Sequence, residues 1–207
     1  MKVFLLSLLA FALPAIAQSE KIVGGPCEGC EAVFQARPAE INPVAQLAPV
    51  GEAGEKLTLE GIVRGNDGKP VKGIIVYAYQ TNAAGIYPTD DRLRGQAVHR
   101  HGKLRAFART DDAGRYRFAS VRPGGYPRTE IPQHIHMRII EPGRCTYYID
   151  DVLFEDDPLL TPAARRSMSG GRGGVAIVMP RREGGTWRVA RDIELGKGIH
   201  DYKACGK

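Results

Sequence analysis

The chain has 207 residues, 43% of them hydrophobic and 25% charged, with a formal net charge of +6. That length supports one domain with a real core, and the composition argues against disorder except at the ends. The basic excess comes from arginines scattered among acids rather than from a basic block, so a nucleic-acid partner has little support, although the field mildly favours anionic small molecules.

The opening segment, MKVFLLSLLAFALPAIAQ, carries one lysine, a short apolar run and small residues at Ala15 and Ala17. It reads as a secretory signal over residues 1–17, cut after Ala17, so the mature chain is expected to be exported to a periplasmic or extracellular space. Loss of Lys2 then takes the net charge from +6 to +5. No later stretch approaches the roughly 18 unbroken apolar residues of a membrane helix, so no membrane partner is expected.

Residues 18–55 form a Pro- and Ala-rich lead-in, expected to drape over the domain as an extended N-terminal arm. Within it, PCEGCEA holds Cys27 and Cys30, and Cys145 and Cys205 come later. Two structural disulfides are the default in an oxidising compartment. Four thiols permit three pairings, which spacing alone does not rank. A redox CxxC would need a surrounding βαβ pattern, and a zinc site a second CxxC; neither is visible.

From residue 56 to 207 the text breaks into short alternating runs: KLTLEGIVRG, IIVYAYQT, LRAFART, RYRFASVRP, HIHMRII, CTYYIDDVLF, VAIVMP and TWRVARDIEL. Period-two alternation rich in β-branched and aromatic residues predicts strands. NDGKP, DDAG, RPGGYP and EPGR supply the turns between them. The expected fold is all-β, an antiparallel sandwich of the immunoglobulin or transthyretin-like kind with long loops. The 22-residue interval from Asn82 to Lys103 is long for a connection, and such loops are usually functional or disordered. TPAARRSM, after Thr161, predicts a turn or two of helix running into SGGRGG. Of the adjacent pair Tyr147 and Tyr148, one should pack in the core, and Trp187 reads as a sandwich anchor.

In PQHIHMRI, His134, His136 and Arg138 share one face of a strand while Ile135, Met137 and Ile139 share the other. Two imidazoles at i and i+2 can reach one metal. Two hydrogen-bonded histidines on a half-exposed face would leave the same pattern. A second such pair, His99 and His101, lies in the long loop among Arg92, Arg94 and Arg100, where a cation would be repelled; these are expected on the surface or at a pocket rim.

NAAGIYP adds Tyr87 after a glycine, and RPGGYP adds Tyr126 in a turn eight residues before His134. With GIVRGNDGKPVKGIIVYAYQT, ARTDDAGRYRFASV, HIHMRI and FEDDPL, these runs resemble, in order over about residues 57 to 160, the successive signatures of intradiol ring-cleavage dioxygenases. The resemblance implies a non-haem Fe(III) cofactor held by Tyr87, Tyr126, His134 and His136. It also implies a vicinal dihydroxy-aromatic substrate that displaces Tyr126, which then serves as a base, and O2 as co-substrate, with the ring opened to a muconate-type diacid. A homo-oligomer is left open. Phenol has a pKa of about 10, so only a strongly Lewis-acidic ion holds it as phenolate near neutral pH.

The chain departs from that family at two positions. Ile131 stands where an arginine is usual, with Arg128 the nearest substitute, and Asp151 stands where a glutamine is usual. The first change removes a cation and the second adds an anion beside the expected substrate. Asp151 is expected either to hydrogen-bond a ligand histidine, to meet a polar substituent of the substrate, or to be a solvated acid. The strand signals also resemble metal-free transthyretin-like binding modules; only the Tyr87, Tyr126, His134 and His136 set discriminates.

Overall fold

In the computed structural model, which describes residues 21–27 and 29–206, two six-stranded sheets face each other. The expected signal over residues 1–17 and the first residues of the arm lie outside the described residues. In chain order the strands are β1 (Lys21–Ile22), β2 (Val44–Gln46), β3 (Lys56–Arg64), β4 (Ile75–Tyr79), β5 (Arg105–Arg109), β6 (Arg115–Val121), β7 (His134–Glu141), β8 (Cys145–Phe154), β9 (Ile177–Val178), β10 (Arg181–Glu183), β11 (Thr186–Ala190) and β12 (Ile193–Glu194). One helix, α1, spans Pro162–Met168, with the Thr161 hydroxyl accepting from the Ala164 N–H as its N-cap.

The first sheet runs β1-β8-β7-β4-β5 with β9 also on β8; the second runs β10-β11-β3-β6-β2 with β12 also on β3. The spine of each sheet is antiparallel, as alternation predicts. The short outer strands differ: β1 and β9 join β8 in parallel, β2 joins β6, and β11 and β12 join β3. These strands arrive from the arm and the C-terminal segments rather than from hairpins, so nothing forces them to run antiparallel.

Val76, Ala78, Ile135, Met137, Ile139, Tyr147, Ile149, Val152 and Phe154 of the first sheet meet Leu57, Leu59, Val63, Tyr116, Phe118 and Val189 of the second in the main core. Tyr147 is fully buried there, whereas Tyr148 faces the opposite way. Trp187 is only half buried at the flank, where its indole N–H donates to Glu55 at 3.0 Å, so it closes the sandwich edge rather than filling its centre.

All five residues of β4 are buried because the arm covers the outer face of the first sheet. Val33, Phe34 and Ile41 of the arm pack there on Ile75, Tyr77, Tyr79, Phe107 and Ile140. The arm is thus a third layer over that face. The cysteines pair as Cys27–Cys30 and Cys145–Cys205. The second joins β8 to the C-terminal 3-10 turn at Tyr202–Gly206, where the buried Glu141 carboxylate accepts from the Tyr147 and Tyr202 hydroxyls at 2.8 and 2.7 Å. Among the described residues no helix is long and apolar enough to cross a membrane.

Candidate metal centre

Two loops and one strand build the site. Asn82 and Gly124 tie the loops together, the Gly124 N–H donating to the Asn82 carbonyl at 2.8 Å, while the Thr81 hydroxyl donates to the Gly124 carbonyl at 2.8 Å. The backbones touch so closely that a Cβ on Gly85, whose φ is +77°, would lie 1.9 Å from the Gly125 carbonyl oxygen. Only glycine permits both that conformation and that approach. The result is a pair of tyrosines, Tyr87 and Tyr126, with hydroxyls 2.7 Å apart.

β7 brings the histidines to the same point. His134 Nε2 and His136 Nε2 lie 3.1 and 3.3 Å from the Tyr126 hydroxyl, 3.2 Å from each other, and His136 Nε2 lies 2.9 Å from the Tyr87 hydroxyl. Each imidazole is oriented from behind. His134 Nδ1 donates to the Pro132 carbonyl at 2.7 Å, and His136 Nδ1 donates to Asp151 Oδ2 at 3.0 Å. With Nδ1 carrying the proton in both rings, both Nε2 lone pairs point into one small volume. Two lone pairs at that separation repel unless a cation lies between them, and two phenol oxygens complete the donor set. The residues present therefore fit a hard, strongly Lewis-acidic metal ion. His134, His136 and Asp151 also form a group of metal-competent side chains by their mutual distances, but Asp151 meets His136 on the nitrogen turned away from the tyrosines.

Burial and like charge shape the site's protonation. Burial, aided by the neighbouring His136 ring, moves the His134 pKa below its ordinary value, so the ring is a neutral ligand. Burial raises the phenols of Tyr87 and Tyr126 above theirs, so both stay protonated unless a cation is bound. For Asp151, burial pushes upward, but the His136 imidazole at its side, together with His134 and Arg138, outweighs it and holds the carboxyl below the usual range.

Asp151 reaches His136 through a β-bulge. Ile135 pairs with Val152 but Met137 with Ile149, so Asp150 and Asp151 together oppose His136. Up to Ile149 the odd residues of β8 enter the core, and from Val152 the even ones do. Both aspartates consequently face the site side. Bulges recur beside active sites because they re-aim a side chain in this way.

Tyr87, Tyr126 and His136 of the cluster line a cavity of about 550 Å³. Ile131 and Arg128 do not line it: both are exposed, and Arg128 sits at a φ of +62° in the turn after Tyr126. Arg128 is therefore no stand-in for the expected arginine. Guanidinium groups reach the cavity instead from Arg100, Arg138 and Arg172. Arg138 was foreshadowed by its alternation with the histidines; Arg172, within a glycine-rich run, carries no sequence signal. His101 lines the cavity, the pocket alternative of its expected placement, and is only 2% exposed, because the 3-10 turn Ala97–His101 folds its ring flat on Tyr79, centroids 3.7 Å apart. Tyr79 in turn stacks on His136 at 4.4 Å. Cys27, in the arm, forms part of the cavity wall.

A family model described as Dioxygenase matches residues 32–172. The beta chain of protocatechuate 3,4-dioxygenase from Burkholderia cepacia is 32% identical over 121 residues, covering 52% of this chain and 48% of that one. Catechol 1,2-dioxygenase 2 from Acinetobacter lwoffii is 30% identical over 150 residues, covering 59% and 53%. The chain thus spans about half the length of the curated relatives it matches. The solved structure of catechol 1,2-dioxygenase from Acinetobacter sp. ADP1 superposes with a TM-score of 0.60 at 20% identity, over 79% of this chain and 62% of that one, which establishes the shared fold.

Proposed function

The chain belongs to the intradiol ring-cleavage dioxygenase family, and from that premise we propose that it is a non-haem iron(III) enzyme that opens an ortho-dihydroxy aromatic ring with O2. The observation that carries this reading is the convergence of the Tyr87 and Tyr126 hydroxyls with His134 Nε2 and His136 Nε2, all within 3.3 Å of the Tyr126 oxygen.

These four residues would hold the iron. When bound, ferric iron supplies the Lewis acidity that keeps the phenols ionised near neutral pH and draws charge from a chelated diol, so that the ring reacts with O2. The protein's part is orientation. Tyr87 packs against Tyr79, with ring centroids 6.1 Å apart. His136 is fixed from three sides, by Asp151, Tyr79 and the strand itself. By the family resemblance Tyr126, carried by the turn just before β7, is the ligand that swings aside when a diol arrives. Its phenolic oxygen then takes the proton that a substrate hydroxyl gives up. The bond between the two hydroxylated carbons breaks, and both oxygen atoms of O2 end in the carboxylates of the opened product.

The purified protein is expected to hold about one iron per chain and to be red-brown from tyrosinate-to-iron charge transfer. A colourless, iron-free protein after expression with ample iron refutes the assignment, and would be the behaviour of a metal-free binding module, which has no use for the four-atom cluster. Tyr126→Phe should shift the visible band, and oxygen uptake with catechol, protocatechuate and substituted hydroquinones should identify a ring that opens. Export is part of the same proposal: residues 1–17 direct it, and two disulfides suit an oxidising compartment. N-terminal sequencing of secreted protein should begin at Gln18.

A further inference from the structure

The cavity extends well past the four converging atoms. At about 550 Å³ it has the size of sites that enclose drug-sized ligands, and the eight non-hydrogen atoms of a bare diol ring would leave most of it to water. Its lining runs from Tyr126 and His136 to Arg138 on β7 and to Tyr148 and Asp150 on β8. Arg138 comes two residues after His136 on the same face, a rise of about 6.8 Å along an extended strand, with Tyr148 and Asp150 beside it on β8. A diol ring with its oxygens at the cluster and its axis along the strand therefore delivers the substituent opposite the diol to Arg138.

That end of the cavity is built for a planar anion. The Arg138 guanidinium is 7% exposed and lies 5.9 Å from the ring centroids of both Tyr79 and Tyr148. Arg172 stacks over Tyr148 at 4.3 Å and donates to its hydroxyl at 2.8 Å. The lining carries three guanidinium groups, of Arg100, Arg138 and Arg172, against two carboxylates. Both carboxylates are engaged within the wall: Asp150 accepts from Arg172 at 2.9 Å, and Asp151 from His136 at 3.0 Å. His101, which also lines the cavity, is held neutral by burial. The field met by a substrate side chain is positive, and guanidinium forks match carboxylates in shape.

Resting on the ring-opening reading above, we propose that the substrate is an ortho-dihydroxyphenyl compound bearing, opposite the diol, a short side chain that ends in a carboxylate, and that Arg138 determines this specificity. The cation that relatives place before the first histidine is absent at Ile131; in this chain a positive charge has a different position and reads a different part of the substrate.

The test compares three diols of one size on the iron-loaded enzyme: 3-(3,4-dihydroxyphenyl)propanoate, its methyl ester, and 2-(3,4-dihydroxyphenyl)ethylamine. Anaerobic binding is followed by the change in the visible band, and turnover by oxygen uptake. The carboxylate should bind at least tenfold more tightly than the ester, and the ester more tightly than the amine, with the same order in kcat/KM. In Arg138→Gln the carboxylate-to-ester ratio should fall towards one, and Arg138→Lys should restore part of it. Equal binding of the carboxylate and ester by the unmodified enzyme, or a ratio that survives in Arg138→Gln, overturns the assignment while leaving ring opening intact. Failure of every diol to bind or open overturns the ring-opening reading and this one with it. The ratios of the unmodified enzyme decide whether the carboxylate is read even where Arg138→Gln does not fold, and the conservative Arg138→Lys then decides whether Arg138 reads it.

Discussion

Replacing Asp151 by asparagine isolates what its charge does for His136. The two meet at 3.0 Å, Asp151 Oδ2 accepting from Nδ1–H, in a setting where burial weakens solvent screening. A hydrogen bond to a charged partner contributes about 1.5–3 kcal/mol and a neutral one about 0.5–1.5 kcal/mol. Asparagine keeps an acceptor but not the charge, so the expected loss is about 1–2 kcal/mol in the strength with which His136 is held as a well-aimed ligand. At about 1.4 kcal/mol per tenfold, that is a roughly 5- to 30-fold loss of iron affinity, through the aim of His136 Nε2. Asp151→Ala, which removes the acceptor as well, should fall in the 10- to 100-fold range typical of residues supporting a metal ligand. Competition with a graded chelator at neutral pH measures the affinity, and the visible band reports the change at the ligands. Asp151→Gln, which installs the side chain usual in the family, should behave like the asparagine variant. If all three variants hold iron as tightly as the parent with an unmoved band, Asp151 does not act through His136.

Gly85→Ala should separate the two tyrosines, since a Cβ there meets the Gly125 carbonyl oxygen at 1.9 Å in a left-handed backbone; the variant is expected to fold but to lose most bound iron and colour. His101, whose pKa burial moves down to about 3 from 6.5, stays neutral when folded while the unfolded chain takes up a proton, so its contribution is intact above about pH 6.5 and is lost as pH falls towards 3. Between pH 7 and 5 this costs about 2 kcal/mol of stability, and urea titrations of His101→Gln should lack that part of the acid sensitivity. Cys145–Cys205 closes a separation of 60 residues and Cys27–Cys30 one of 3. Chain-entropy reckoning therefore gives about 4 kcal/mol for the first and about 1.5 for the second. Double alanine replacements of each pair, compared by denaturant midpoint, should show that order.

The strands, the sandwich and the grouping of His134, His136 and Arg138 were legible because alternation is a local property of a pleated chain. Tyr87 and Tyr126 were legible as a set through the order of the family's signatures, though not why they meet; that rests on glycine backbones touching across two loops. Asp151 was legible as a departure but not in its direction. Counting by twos from Tyr147 sends it into the core, and the bulge opposite His136 reverses that count. Chain proximity misled for Arg128, which is only three residues from Ile131 yet faces solvent, while Arg100 and Arg172 reach the cavity from distant segments. The flanking arginines placed His101 at the surface or a pocket rim without choosing; it lines the cavity, buried by stacking on Tyr79. The disulfide pairing depended on where the C-terminal turn lands, which no local pattern encodes.

The doubled residue in β8 also acts as a phase shifter for everything that follows it in the strand. Removing either Asp150 or Asp151 would leave a chemically similar chain one residue shorter, with a ladder free to pair without interruption. Yet the two halves of β8 would then compete for the core. Keeping Tyr147 and Ile149 inside would turn Val152 and Phe154 out, and keeping those inside would expel the first two. A single-residue deletion at this point is therefore a more severe change than any substitution of either aspartate, and the strand tolerates variation in identity here far better than variation in length.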